Sequence, residues 1–354
     1  MIRCVDLFCG LGGLTHGLIQ GGIRVEAGID IDEQCRFPFE QNNRAEFVSS
    51  DIRDITGDDI IRLWKGGGRT LLAGCAPCQP FSTYSRTGRK AETVRSDKAW
   101  KLVEDFGRLI SEASPSFVTM ENVPQLLDHR VFTKFLSSLA NYHVWYQVVE
   151  CANIGIPQKR KRLVLLASRL GPISLFSPRI NETATVRGAI GHLPRLEAGE
   201  SDPGDALHSA CRLSELNLRR IRASRAGGTW REWNTDLLAA CHAKASGSTY
   251  PSIYGRMEWD SPSPTITTQC FGYGNGRFGH PDQDRAITLR EAALLQTFPS
   301  SYRFVRDGDT VRFSVLGRLI GNAVPVRLGE IVAESLVRHL RSITRSARKE
   351  RPQT

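Results

Sequence analysis

Residues 2–13 read Ile2-Arg3-Cys4-Val5-Asp6-Leu7-Phe8-Cys9-Gly10-Leu11-Gly12-Gly13, an apolar strand pattern running into a glycine-rich turn that opens a helix. That is the layout of a nucleotide-type cofactor site in a doubly wound sheet, where glycine lets the backbone approach a ligand closely. By itself the turn suits a dehydrogenase nearly as well, although its glycine spacing departs from the dinucleotide pattern. Outward from it, strand patterns near 24–30, 45–49, 70–75, 115–121, 144–150 and 162–168 alternate with helical or loop segments such as 97–113 and 131–140. Such alternation predicts a mostly parallel sheet covered by helices on both faces.

The strand pattern at 70–75 leads into Gly74-Cys75-Ala76-Pro77-Cys78-Gln79-Pro80-Phe81-Ser82. Cys78, at a buried strand's end and framed by prolines, is a candidate nucleophile, provided its surroundings favour the thiolate. The competing reading makes Cys75 and Cys78 half of a zinc or redox pair, but the chain has no second Cys-x-x-Cys. A later strand pattern ends in Glu121-Asn122-Val123-Pro124, where a carboxylate suits a general acid, a hydrogen-bonding clamp or a plain helix cap. Asp30 closes the strand Glu26-Ala27-Gly28-Ile29-Asp30, and Asp51 stands in Ser50-Asp51-Ile52 after the next one. Asp30 also has a reading as a simple cap. In Gln158-Lys159-Arg160-Lys161-Arg162, the two arginines alternate on one face of an extended segment and are expected to point together at one acceptor, a basic surface strand being the alternative. The stretch 83–97, with Ser85, Arg86, Gly88, Arg89, Lys90 and Arg95, is polar, basic and aperiodic, which predicts a mobile loop.

The chain has 354 residues and a formal net charge of +10, enough length for a large core with a satellite domain and a charge that favours a polyanionic partner. A merely basic protein is the plain alternative. Nine scattered cysteines argue for reduced thiols in a cytosol-like compartment. The first strand leaves no room for a signal peptide and no apolar run is long enough for a bilayer, so a cytoplasmic location without a membrane is expected.

These segments, followed by Arg290-Glu291, Leu295-Gln296-Thr297-Phe298-Pro299 and Gly321-Asn322-Ala323-Val324-Pro325, resemble in kind and order the motifs of the DNA cytosine-5 methyltransferases of bacterial restriction-modification type. The resemblance covers about 1–170 and 260–330 and is weak over 175–255. It implies an α/β, Rossmann-like S-adenosylmethionine-dependent methyltransferase sheet with a smaller, irregular target-recognition domain. The expected limits are 1–174 and 286–354 for a discontinuous catalytic and cofactor-binding domain, and 175–285 for target recognition. Helices are expected over 288–297 and, through Gly321-Asn322, over 315–341, with a solvated basic tail.

The resemblance also implies roles. Cys78 would attack carbon 6 of a flipped-out cytosine, Glu121 would bond the ring nitrogen and amino edge, and Arg160 with Arg162 would face the cytosine carbonyl oxygen or its phosphate. S-Adenosyl-L-methionine, leaving as S-adenosyl-L-homocysteine and with no metal, would be held by Phe8, Gly10, Gly12, Gly13, Asp30, Ile31, Asp51, Ile52, Pro77, Asn322 and Val324. Ser82, Arg86, Arg89 and Lys90, in a loop closing over the base, would grip DNA. Arg231 and Arg256, among Trp230, Trp233, Tyr250 and Tyr254, would supply base or backbone contacts, and for each aromatic core packing is an equal alternative. Thr265, Thr267 and Thr268 read as structural or phosphate-facing, and Arg290 as a scaffold residue. The expected partners are double-stranded DNA and, functionally, a restriction endonuclease, for a monomeric, nucleoid-associated enzyme without long regulatory extensions. A tRNA cytosine-5 methyltransferase and a catalytically silent DNA-binding homologue are the rival readings. The long insert after the arginine motif disfavours the first, and intact Cys78, Glu121, Arg160 and Arg162 disfavour the second.

Overall fold

The structure, a computed structural model, describes residues 1–77, 89–242, 244 and 252–349, leaving aside the side chains of 89–99 and 346–349. Cys78, Ser82, Arg86 and Tyr250, and the side chains of Arg89 and Lys90, therefore lie outside the described residues. In chain order the elements are β1 (Ile2–Leu7), α1 (Gly13–Gln20), β2 (Arg24–Asp30), α2 (Arg36–Asn43), β3 (Glu46–Ser49), α3 (Gly57–Leu63) and β4 (Arg69–Gly74). There follow α4 (Arg89–Ala113), β5 (Phe117–Asn122), α5 (Arg130–Ser137), β6 (His143–Glu150), β7 (Gln158–Lys159) and β8 (Lys161–Ser168). The remainder are α6 (Val186–Ile190), β9 (Ser201–Asp202), β10 (Asp205–Ser209), α7 (Glu215–Arg222), β11 (Ser263–Pro264), α8 (Leu289–Leu295), α9 (Phe313–Asn322) and α10 (Val326–Lys349).

The chain divides into two compact units. The first comprises 1–150, 161–179 and 324–354, and the second 151–160 and 180–323. These limits differ from the expected ones on both flanks: 286–323 groups with the second unit, and so does the short segment 151–160.

The first unit is built on a seven-stranded sheet of order β3-β2-β1-β4-β5-β8-β6. Pairs among β3, β2, β1, β4 and β5 are parallel, whereas β8 is antiparallel to both β5 and β6. The central strands are apolar on both faces, with Cys4, Val5, Leu7, Leu71, Leu72, Phe117, Val118 and Met120 all buried, as a helix-covered parallel sheet requires. On one side Val103, Phe106, Leu109 and Ile110 of α4 and Phe135 of α5 close the core against Val5, Leu7 and Leu72. α1 meets α10 at glycines. A Cβ on Gly17 would stand 2.7 Å from the Glu330 nitrogen and 2.8 Å from Gly329 Cα, and one on Gly329 2.7 Å from the Leu14 carbonyl oxygen. Because the chain leaves β1 toward β2 and β3 and then returns to β4 on β1's other side, the switch point of the sheet lies between β1 and β4.

Two expectations are corrected here. Residues 89–97, read as loop, form the first part of α4. After Gly88 the run Arg89-Lys90-Ala91-Glu92 has no breaker and good helix formers, and polarity alone does not distinguish a solvated helix from a loop. The single helix expected over 315–341 is two helices, α9 and α10, because Pro325 denies the ladder its N–H and forces the preceding residues out of helical geometry.

The second unit has short elements and combines buried apolar side chains with buried polar contacts. Arg285 donates to both oxygens of Glu291, at 2.8 and 2.7 Å, and Glu291 also closes a capping box on Thr288 at the start of α8. Arg285 holds the Glu291 carboxyl below its ordinary value against the opposing effect of burial. Ile221, Trp230, Trp233, Leu237, Tyr273 and Ala286 form its apolar cluster. Among the described residues, no helix is long and apolar enough to cross a membrane.

Candidate active site

At the carboxyl end of β1 the chain turns through Phe8 (φ 56°), Gly10 (φ 52°) and Gly12 (φ 85°) before α1 begins at Gly13. The left-handed backbone at Gly10 and Gly12 explains why glycine stands there, and among the described residues nothing lies within 4 Å of where a Gly10 Cβ would be. Gly12, which has no side chain, places no capping group on α1. Asp30, at the end of neighbouring β2, accepts the Gly10 N–H at 2.9 Å and the Asp32 N–H at 2.9 Å. Burial pushes its carboxyl above the ordinary value while those two N–H groups pull it back. Ile31, the next residue, is 67% exposed, an isolated apolar surface at the mouth of the turn.

Beneath the turn lies a residue that sequence reasoning passed over. Asp6 is buried, and one of its oxygens accepts the Thr15 hydroxyl at 2.6 Å. The other accepts no hydrogen bond among the described residues, and burial raises the carboxyl to about 7.

The remaining expected cofactor residues divide. Asp51 binds Arg53 through Oδ1 at 2.9 Å and caps the short turn of helix after it, and the Arg53 guanidinium holds its carboxyl below the ordinary value. Ile52 is buried in the core cluster, with Phe8 packed against that same cluster. Pro77 is exposed just beyond β4. Val324 is buried in the first unit, while Asn322, exposed at the end of α9, belongs to the second.

The chemistry expected of Glu121 is placed by β5, whose parallel pairing with β4 ends at Gly74↔Met120. Beyond that pair, side chains continue the register. Cys75 Sγ donates to Glu121 Oε2 at 2.8 Å, and Asn122 Nδ2 donates to the Ala76 carbonyl oxygen at 3.1 Å. From antiparallel β8, Arg162 Nε stands 2.8 Å from Glu121 Oε1. This contact is an ion pair out of line for a hydrogen bond, and Oε1, buried, accepts none among the described residues. A buried carboxylate oxygen in that condition has capacity to accept a further donor.

Arg160 does not join Arg162. The boundary between the units falls between Arg160 and Lys161. The Arg160 guanidinium is buried in the second unit, donating to the carbonyls of Ile266 and Ala323 at 3.3 Å each. The same-face expectation fails because the extended run is interrupted at Arg160: β7 pairs with β11, whereas β8 pairs with β5 and β6. Arg160 belongs instead to a buried network. Gln158 Nε2 donates to Gln296 Oε1 at 3.0 Å, Gln158 Oε1 accepts the Ile266 N–H at 3.0 Å, and Gln296 Nε2 donates to the Ile320 carbonyl oxygen at 2.9 Å. Three motifs far apart in sequence thus meet as scaffold.

The two arginines expected on DNA also part. Arg231 is exposed and lies over the Trp230 ring, 5.9 Å from its centroid. Arg256 is corrected: its guanidinium is buried, donating to the carbonyls of Ile221, His280 and Gln283 and paired with Asp284, so it has nothing left for DNA. Trp230, Trp233 and Tyr273 are core, and the partly buried Tyr254 packs against them, its ring edging Tyr273 at 5.4 Å. Thr265 donates to the Lys159 carbonyl oxygen at 2.7 Å, and Arg290 pairs with Asp205.

A family model described as C-5 cytosine-specific DNA methylase matches residues 2–338. The chain is 50% identical over 349 residues to "Type II methylase M.HgiDII" of Herpetosiphon aurantiacus, covering 96% of each chain. It is 29% identical to "Type II methyltransferase M1.HphI" of Haemophilus parahaemolyticus, over 94% of this chain and 86% of that one. Its fold is similar to that of a prophage-encoded DNA modification methyltransferase of E. coli, with TM-score 0.74 at 22% identity over 96% of this chain and 100% of the other. The Entamoeba histolytica methyltransferase EhMeth follows at TM-score 0.66 and 17% identity, over 96% and 99%. With its sheet, its glycine turn and its strand-end carboxylate in place, the chain belongs to the C-5 cytosine-specific DNA methylase family.

Proposed function

We propose that this protein is a site-specific DNA cytosine-5 methyltransferase acting on duplex DNA, as a cytoplasmic, nucleoid-associated monomer paired functionally with a restriction endonuclease. The observation that carries the reading is Glu121: a buried carboxylate at a strand end, steadied by Arg162 and Cys75, with an oxygen that accepts no hydrogen bond among the described residues. The name and 50% identity of the Herpetosiphon relative support the same substrate class.

The left-handed glycine turn at Gly10 and Gly12, with no described atom within 4 Å of a Gly10 Cβ, and the half-buried Asp30 carboxylate suit S-adenosyl-L-methionine. Its carboxylate fits the N-terminal turn of α1, its ribose hydroxyls fit Asp30, and its apolar portions fit Phe8 and Ile31. Bound there, it supplies an electrophilic methyl group and leaves as S-adenosyl-L-homocysteine.

The chain's own residues prepare the acceptor. A base inside a duplex is out of reach, so the cytosine is flipped out at a cost of a few kcal/mol. The Cys78 thiolate adds to carbon 6, forming a C–S bond and pushing the ring's electrons toward carbon 5 and the ring nitrogen. Glu121 bonds the ring nitrogen and amino edge as charge gathers there, with Arg162 holding the carboxylate in place. Once carbon 5 carries the methyl group, loss of its proton to a base would let the C–S bond at carbon 6 break, returning the thiolate.

The test is transfer of labelled methyl from S-adenosyl-L-methionine to duplex DNA and to bulk tRNA, with bisulfite mapping of the product. Cys78→Ala is expected to abolish transfer while leaving DNA binding intact, and 5-fluorocytosine DNA to trap the wild type covalently. Transfer to tRNA alone, or turnover by the alanine variant, would overturn the reading.

A further inference from the structure

We propose that Cys75 is a positioning residue for Glu121, its thiol deciding which carboxylate oxygen is presented to the cytosine. This rests on the reading of Glu121 as the group that bonds the ring. A glutamate at a strand end turns about three side-chain bonds, and rotation about the last exchanges two chemically equal oxygens. The structure removes that equivalence. Register carries Cys75 beside Glu121, one step past the last backbone pair Gly74↔Met120. Its Sγ–H donates to Oε2 at 2.8 Å, while Arg162 approaches Oε1 from β8 without donating along the line of a hydrogen bond.

Oε2 is therefore occupied by an internal donor, and Oε1 is left for an external one. The carboxylate is pinned on both sides before substrate arrives, and a preformed acceptor needs no reorganisation during reaction. Asn122 reinforces the same junction. Its Nδ2 donates to the Ala76 carbonyl oxygen at 3.1 Å, so the exits of β4 and β5 are tied beyond the Cys75–Glu121 bond as the Gly74↔Met120 pair ties them before it, and its Oδ1 accepts the neighbouring Val123 N–H at 2.9 Å.

Steady-state kinetics on Cys75→Ala and Cys75→Ser, alone and in a Glu121→Gln background, test this. Cys75→Ala should lower kcat about tenfold, the scale of one hydrogen bond to a charged group, with KM for DNA and for S-adenosyl-L-methionine unchanged. Cys75→Ser, which keeps a donor, should restore most of the loss. With Glu121 already replaced by Gln, Cys75→Ala should cost nothing more, because the two act as a unit. If alanine leaves the protein unfolded by thermal melting, Cys75→Val keeps the volume without the donor and takes its place. Unchanged kcat in the donor-less variant, serine no better than alanine, or the full loss repeated in the Glu121→Gln background would each overturn the positioning role. Should Glu121→Gln itself turn over normally, the reading of Glu121 falls instead, an outcome distinguishable from normal Cys75→Ala kinetics beside a crippled Glu121→Gln.

Discussion

Asp6 shows how one buried carboxyl sets a dependence on pH. Its ordinary value of 3.8 applies in the unfolded chain and rises to about 7 in the fold, chiefly through burial. Below about pH 4 the group is protonated in both states. From there to about pH 7 only the folded chain keeps the proton, so the stability this group contributes falls as pH rises and is gone above 7. Asn in its place still accepts from Thr15 and does not titrate. Asp6→Asn is therefore expected to gain stability over wild type by a few kcal/mol between pH 4.5 and pH 8, measured as urea midpoints at both values; equal differences at the two would contradict it. The arginines supply a second contrast. Arg256→Ala strips donors from three buried carbonyls and a partner from Asp284, and should cost about 3–5 kcal/mol. Arg231→Ala, on an exposed side chain, should change stability by less than about 0.5 kcal/mol while relaxing discrimination between DNA sequences by about 1–3 kcal/mol per lost base contact. Melting curves and methylation of a plasmid library read the two effects separately.

Among the elements, the pairing of α1 with α10 depends on absent side chains. Where Gly17 meets the Val326 carbonyl oxygen, the Glu330 nitrogen and Gly329 Cα, the obstructing atoms are backbone, which cannot turn aside as a flexible side chain can. Gly17→Ala gains helix propensity of about 1 kcal/mol, yet overpacking should exceed it, giving a net loss of about 1–3 kcal/mol. Since α1 begins at the glycine turn, affinity for S-adenosyl-L-methionine should fall in the same variant, by calorimetry. A variant as stable as wild type would show that the helices part at no cost. By contrast, the break between α9 and α10 needs no tertiary reason, because Pro325 imposes it locally.

For the whole molecule, specificity is expected to reside in 175–285, of which 180–285 belongs to the second unit. Replacing 180–255 by the corresponding segment of a relative with a different target should transfer site choice, read by bisulfite sequencing; unchanged choice would overturn this assignment. The graft has to keep the backbone carbonyl at position 221 within reach of Arg256, or the unit loses a buried anchor before specificity is tested. The formal charge of +10 supports DNA as the partner but not any one contact, since long-range attraction sums over the chain whereas recognition needs individual side chains at base edges.

Sequence alone determined the parallel core of the sheet, the glycine turn, Asp30 at its mouth and Glu121 at a strand end. These follow from local rules: period-two or continuous apolar runs, positive φ that favours glycine, and breakers between elements. Only the tertiary structure decided the partners of each side chain. Arg160 and Arg162 are two residues apart and were read as one clamp, yet their strands pair with different neighbours and their guanidinium groups serve different units. Arg256 reads as a DNA contact until burial and the carbonyls of three distant residues claim its donors. Cys75 has no role legible in the sequence, where a metal or redox pair with Cys78 is disfavoured, and only parallel register sets it against a carboxylate 46 positions on. In each case a charge or thiol is visible in the sequence, but its role depends on what the pairing of strands and the packing of loops bring within 3 Å, and such long-range registers leave no local signal.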